Sequence, residues 1–151
     1  MKLRIEISPG AEREVIIKAP ELDDEVRRLQ TAFEKASSSG EIALKSGDGE
    51  VFIPVSEIYF FEVSDDKTFA HTAKDCFVCQ MRLFELLETL PRTFCRASKS
   101  SLVNVMKIRS LSRSPTGVGE ATFSGTEKKT YISRMYFKPV REIIEEMRLQ
   151  K

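Results

Sequence analysis

The chain has 151 residues, 41% hydrophobic and 31% charged, with a net charge of +1; this suits one domain, or a small domain with an appendage, and excludes global disorder. Three cysteines, an odd number, argue against a secreted disulfide framework. No apolar run approaches the roughly 18–20 residues of a membrane helix, and the first residues lack the apolar core of a signal peptide, so the cytoplasm is the expected location. Residues 2–7 alternate apolar and charged with the period of a half-buried strand, and Ser8-Pro9-Gly10 breaks them. Residues 14–18, with Val15, Ile16 and Ile17, predict a second short strand. Pro20 and the acidic residues after it open a helix over 21–36, with Leu22, Val26, Leu29, Phe33 and Ala36 on one stripe. Ser37 to Gly40 reads as a linker, so 1–40 is taken as a β-β-α leader, a candidate for dimerisation.

Short strands follow. Residues 41–46 and 50–53 make a hairpin around Gly47-Asp48-Gly49. Residues 58–63 are the most apolar stretch and predict a central strand, with further strands at 68–72 and 76–80. Leu83, Leu86, Leu87 and Leu90 mark a short helix stopped by Pro91. Strands are expected at 94–98, 101–104, 107–113, 118–123 and 129–133, with a tight bend at Asn104-Val105-Met106 and a loop around Pro115. Phe137, Val140, Ile143, Ile144 and Met147 predict a final helix. The class is mainly β or α+β, a sandwich-like set of sheets with one short inserted helix and a C-terminal helix.

Signals for catalysis are weak. His71 is the one histidine, and no nucleophile motif supplies it with a partner. Cys76-Phe77-Val78-Cys79 has the C-x-x-C spacing, but a redox pair wants a helix N-terminus. In a strand its sulfurs point to opposite faces, and no second closely spaced pair, only Cys95 and His71, is left to complete a zinc site. No catalytic residue, metal or cofactor is therefore expected, and the cysteines read as incidental. Charge distribution says more. Residues 1–91 carry 11 Lys and Arg against 18 Asp and Glu, a net −7; residues 92–151 carry 13 against 5, a net +8. Such an asymmetry suggests a polyanionic partner. In the basic half, Arg96, Ser98, Lys99 and Ser100 combine long donors with short hydroxyls, a set suited to phosphate and base-edge contacts.

The segments Ile58-Tyr-Phe-Phe-Glu62, Phe94-Cys-Arg-Ala-Ser-Lys-Ser-Ser-Leu-Val-Asn104 with Lys107-Ile108, and Ile132-Ser-Arg134 with Tyr136 occur in this order. Together they resemble the LytTR-type DNA-binding domain of bacterial transcription regulators, across about residues 41–142, with 143–151 as the end of the C-terminal helix. The resemblance implies an elongated β-sheet domain that binds double-stranded DNA, often at paired direct repeats, with loops entering successive major grooves. It places Lys67 and Thr68, Ser98, Lys99 and Ser100, and Arg134 as candidate DNA contacts, and Arg96 and Lys138 of the basic half join them as candidates. Met135 stands where a second basic residue often follows the arginine, and Ser101 where a large residue usually follows the serine. The leader is too short for a receiver domain of about 120 residues, so phosphorylation within the chain is not implied. Stand-alone members of the family often accompany a small membrane protein, and a homodimer is expected. A second function fits the same fold, a protein-interaction or ligand-sensing module without DNA affinity.

Overall fold

The computed structural model describes residues 1–37 and 40–149. Ser38 and Ser39 of the expected linker, and Gln150 and Lys151 at the C-terminus, lie outside them, as do the side chains of residues 34–37, Ala36 included. From Gly40 onward the chain folds as expected. β1 (Glu41–Ser46) and β2 (Gly49–Pro54) pair antiparallel, with Ser46 opposite Gly49. Gly47 takes the positive φ, 60°, that the first position of this two-residue turn favours. A 3-10 turn at Val55–Glu57 leads to β3 (Phe60–Ser64). Asp65 and Asp66, both at positive φ, form the two-residue turn into β4 (Lys67–His71). β5 (Cys76–Cys79), the short helix α2 (Leu83–Thr89), β6 (Phe94–Ser98) and β7 (Ser101–Asn104) complete a seven-stranded sheet in the order β2-β1-β5-β4-β3-β7-β6. β8 (Ile108–Arg113), β9 (Gly119–Phe123) and β10 (Lys129–Ile132) form a second, three-stranded sheet, followed by the helix α3 (Arg134–Arg148).

Both faces of the large sheet are covered, which explains why Ile58–Val63 reads as nearly continuous apolar sequence. Side chains alternate across the pleat. Phe61 and Leu102 pair in register and point into a core shared with Ala70, Cys79, Leu44 and the α2 residues Leu83 and Leu86. Phe60 and Val103, also paired, point into the opposite core with Ala121, Phe123 and Ile132 of the small sheet and Val140, Ile144 and Met147 of α3. The expected sandwich is thus a large sheet with α2 on one face and a small sheet plus α3 on the other. Asn104 joins them. Its buried side-chain amide donates to the Ile58 carbonyl at 2.9 Å and accepts from the Met106 amide at 3.1 Å, fixing the 3-10 turn Val105–Lys107 that starts the small sheet. Arg148 closes the same junction from the end of α3 by donating to the carbonyls of Val105 and Ile108.

The leader departs from expectation. Residues 2–7 and 14–18 form no strand; Leu3 and Ile7 are 89% and 91% exposed. A strand needs a hydrogen-bonded neighbour, and no segment among the described residues provides one. The leader helix α1 spans Asp24–Ser37 and starts four residues past Pro20, because Asp23 supplies the cap: its carboxylate accepts from the Val26 amide at 2.9 Å. Arg27 donates to the Leu149 carbonyl at 2.9 Å, so α1 meets the end of α3. Leu22 and Phe33 of the expected stripe stay exposed. α3 begins at Arg134, three residues before its first predicted apolar position.

Candidate nucleic-acid interface

The turn between β6 and β7 is shaped by a bulge. Arg96 faces Leu102 and Ser98 faces Ser101, which leaves Ala97 as the extra residue. The bulge has two consequences. The Ala97 carbonyl is free to accept from the Ser133 amide at 2.8 Å, which ties the β6–β7 turn to the start of α3. Ser98 Oγ reaches into the turn, accepting from the Ser100 amide at 3.1 Å and bonding Ser101 Oγ at 2.7 Å. Arg96 braces the same turn by donating to the Lys99 carbonyl at 3.0 Å. Lys99 is held at the tip.

Between this turn and the first turn of α3 lies an open groove of 590 Å³, lined by Ser98, Lys99, Ser100, Ser133, Arg134, Met135 and Tyr136. Four of the eight candidate residues therefore share one surface, and Arg96 supports it from behind. Arg134 is placed by a residue that sequence reasoning passed over. Gly117, at φ 91°, lies under its side chain; a Cβ there would come within 2.6 Å of Arg134 Cδ. The signal was available only as a glycine in a loop. Lys138 is exposed one helical turn beyond Arg134. Lys67 is exposed at the β3–β4 turn, near this end of the sheet, since the Val63 amide donates to the Ser100 carbonyl at 2.8 Å. Asp65 and Asp66 stand next to it and offset its charge. Thr68 is not on this surface. It is 7% exposed and shares the pleat face of Ala70.

The basic half divides by what its cations already touch. Lys107 lies over the Tyr59 ring at 5.2 Å and Arg113 over the Phe137 ring at 4.7 Å. Arg92 pairs with Glu146, and Lys129 lies 3.8 Å from Glu120. Lys128 donates to the Asp75 carbonyl at 2.6 Å. Among the described residues, the side chains of Lys99, Arg109, Arg134 and Lys138 have no ion-pair, ring or hydrogen-bond partner, and of these Lys99 and Arg134 line the groove. An unpaired, hydrated cation on an open surface is available to an incoming anion without first breaking a bond.

His71 lies away from this groove. Its ring stacks on Phe60 at 4.2 Å, with Nε2 2.7 Å from Glu62 Oε1 and Nδ1 3.3 Å from Lys128 Nζ. Burial holds its pKa below the ordinary value, against the Glu62 hydrogen bond and charge. The neutral ring can donate from Nε2 and accept from Lys128 at Nδ1, which makes it a bridge between the large sheet and the β9–β10 loop. Cys76 is exposed while Cys79 is buried with the α2 core, on opposite faces as the strand period requires. Burial raises the thiol pKa of all three cysteines, that of Cys95 to about 12, so none is poised as a thiolate.

Residues 48–145 match the family of the LytTr DNA-binding domain. The chain belongs to the LytTR family. An HTH-type transcriptional regulator of Staphylococcus aureus (strain NCTC 8325 / PS 47) is 31% identical over 143 residues, covering 94% of this chain and 97% of its own. Another, from strain MRSA252, is 30% identical over the same shares. These alignments reach into the leader, which the family match does not cover. A solved LytTr DNA-binding domain of a Bacillus cereus protein superposes with a TM-score of 0.64 at 23% identity, covering 70% of this chain and 96% of that one, and shows the same sheet-rich fold. Among the described residues no two helices are consecutive in the chain, so no helix-turn-helix is present in this LytTR domain.

Proposed function

We propose that this LytTR protein is a cytoplasmic, sequence-specific transcription regulator that binds double-stranded DNA. Its β6–β7 turn and the start of α3 would enter the major groove, and paired repeats would give two copies successive grooves. The observation that carries this is the pair Lys99 and Arg134: two partnerless cations on one groove, each beside a serine. Both are long donors without acceptors, and guanine O6 and N7 are their natural major-groove targets. Lys138, and Lys67 more weakly because of its acidic neighbours, would meet phosphates.

The leader supports a homodimer in this reading. Leu3, Ile5, Ile7, Val15 and Ile16 are exposed and find no cover within the described residues, and a second copy would cover them without any other partner.

Titration of the protein against duplexes enriched from a random pool tests the reading. Phosphate neutralisation makes log affinity fall linearly with log salt, by about 0.9 per phosphate contacted. Arg134→Ala and Lys99→Ala should each either cost about 1–3 kcal/mol at one base pair, marking a base contact, or weaken all duplexes alike and reduce the salt slope by about one, marking a phosphate contact. Full affinity in both variants would remove the groove from DNA recognition. An absence of duplex binding at low salt would favour the interaction-module reading instead.

A further inference from the structure

Resting on that reading, we propose that Met135 reads the C5-methyl group of a thymine, next to the bases met by Lys99 and Arg134. Three observations lead to it. Met135 is 72% exposed although it belongs to a helix with a well-packed apolar face. It stands roughly 120–180° around α3 from the buried stripe of Val140, Ile144 and Met147, at about 100° per residue, so core packing does not account for an apolar residue there. It also lines the same groove as the two free cations.

The chemistry of that groove is one-sided. Lysine and arginine only donate, and the serine hydroxyls adapt to donor or acceptor. None of these groups recognises the feature that marks thymine in the major groove, its methyl. Met135 is the exposed apolar chain on this surface, since Tyr136 beside it is partly buried against the α3 core. An unbranched thioether has the rotatable bonds to follow a methyl whose position is set by the contacts on either side. Pro139, four residues on, has no amide hydrogen to give the Met135 carbonyl, so the first turn of α3 is tied to the rest of the helix by one bond fewer and can adjust to the groove.

The test uses the full chain and a duplex enriched from a random pool. Each thymine in turn is replaced by deoxyuridine, which removes the methyl and nothing else. At one position the wild-type protein should lose about fourfold in affinity, the worth of one buried methyl. At that position Met135→Ala should bind thymine and uracil duplexes equally, while its penalties elsewhere match the wild type. Met135→Leu should keep the discrimination. Unchanged thermal midpoints confirm that both variants fold, as expected at an exposed site. Equal uracil penalties in wild type and Met135→Ala at every position, or no penalty anywhere in the wild type, overturn the assignment and leave DNA binding standing. A wild-type protein that enriches no sequence overturns the assignment and the function it rests on together.

Discussion

Residues 2–7 and residues 41–46 look alike in sequence and end differently. Lys-Leu-Arg-Ile-Glu-Ile and Glu-Ile-Ala-Leu-Lys-Ser both alternate. The second becomes β1, hydrogen-bonded to β2 and β5, with Leu44 only 1% exposed. The first has no partner among the described residues and leaves every apolar side chain in water. Its turn is in place: the Ala11 amide donates to the Ser8 carbonyl at 3.1 Å and Gly10 sits at φ 84°. Residues 14–18 nevertheless do not return to pair. A lone two-stranded hairpin is marginal in water, whereas β1–β2 adds to a sheet that already has a core beneath it. Alternation licenses a strand, and neighbours decide it.

The contrast predicts unequal costs for similar truncations. Phe61→Ala, which opens a cavity between β3, α2 and β7, should lower the unfolding free energy by about 3–5 kcal/mol. Ile5→Ala should stay within about 0.5 kcal/mol in a monomer. Paired urea titrations check both, and a cost of more than about 1 kcal/mol for Ile5→Ala would mean that the leader has found a partner.

Next in size is Asn104, where the domain has what the leader lacks, a buried polar bridge between sheets. Asn104→Ala leaves the Ile58 carbonyl and the Met106 amide without their bonds and should cost about 1–3 kcal/mol. Asn104→Asp keeps one acceptor and loses the donor, so it should not restore stability at neutral pH.

A pH series separates the regions further. Burial holds His71 below its ordinary 6.5 in the folded protein. As pH falls, the unfolded chain takes up the proton first, so stability declines from about pH 6.5 downward until pH passes the folded value. Above that window His71 is neutral in both states and contributes no slope. Thermal midpoints of wild type and His71→Gln, compared between pH 7.5 and 5.5, should show this part of the decline only in the wild type. A protonated His71 also repels Lys128, so loosening should start at the β9–β10 loop and be visible there by amide hydrogen exchange.

The smallest effect on folding should come from Leu3→Ser with Ile5→Ser. The domain's unfolding should be unchanged, while sedimentation should show loss of the proposed dimer. An unaltered dimer mass would free the leader from assembly.

Local pattern determined much of this protein. Short alternating or continuously apolar runs between turn residues placed the ten strands from Glu41 to Ile132 within a few residues, because each has one face or both in a core. The charge split and the ordered motifs mark Lys99 and Arg134 as candidates. Other features belong to the tertiary structure. Period two says that Thr68 and Ala70 share a face, but both faces of this sheet are buried, so only packing shows that Thr68 points into the α2 core. Spacing shows an arginine at 96, yet only the bulge at Ala97 turns it into a brace for the loop rather than a free cation. Gly117 is 17 residues from Arg134 in the chain and touches it only after the small sheet folds. The leader's strands would need a partner that no local pattern can supply. Hydrogen-bond partners and buried faces are non-local properties; a turn, a stripe or a charge run is local, and that is the physical line between what could be read from the residues and what the fold had to decide.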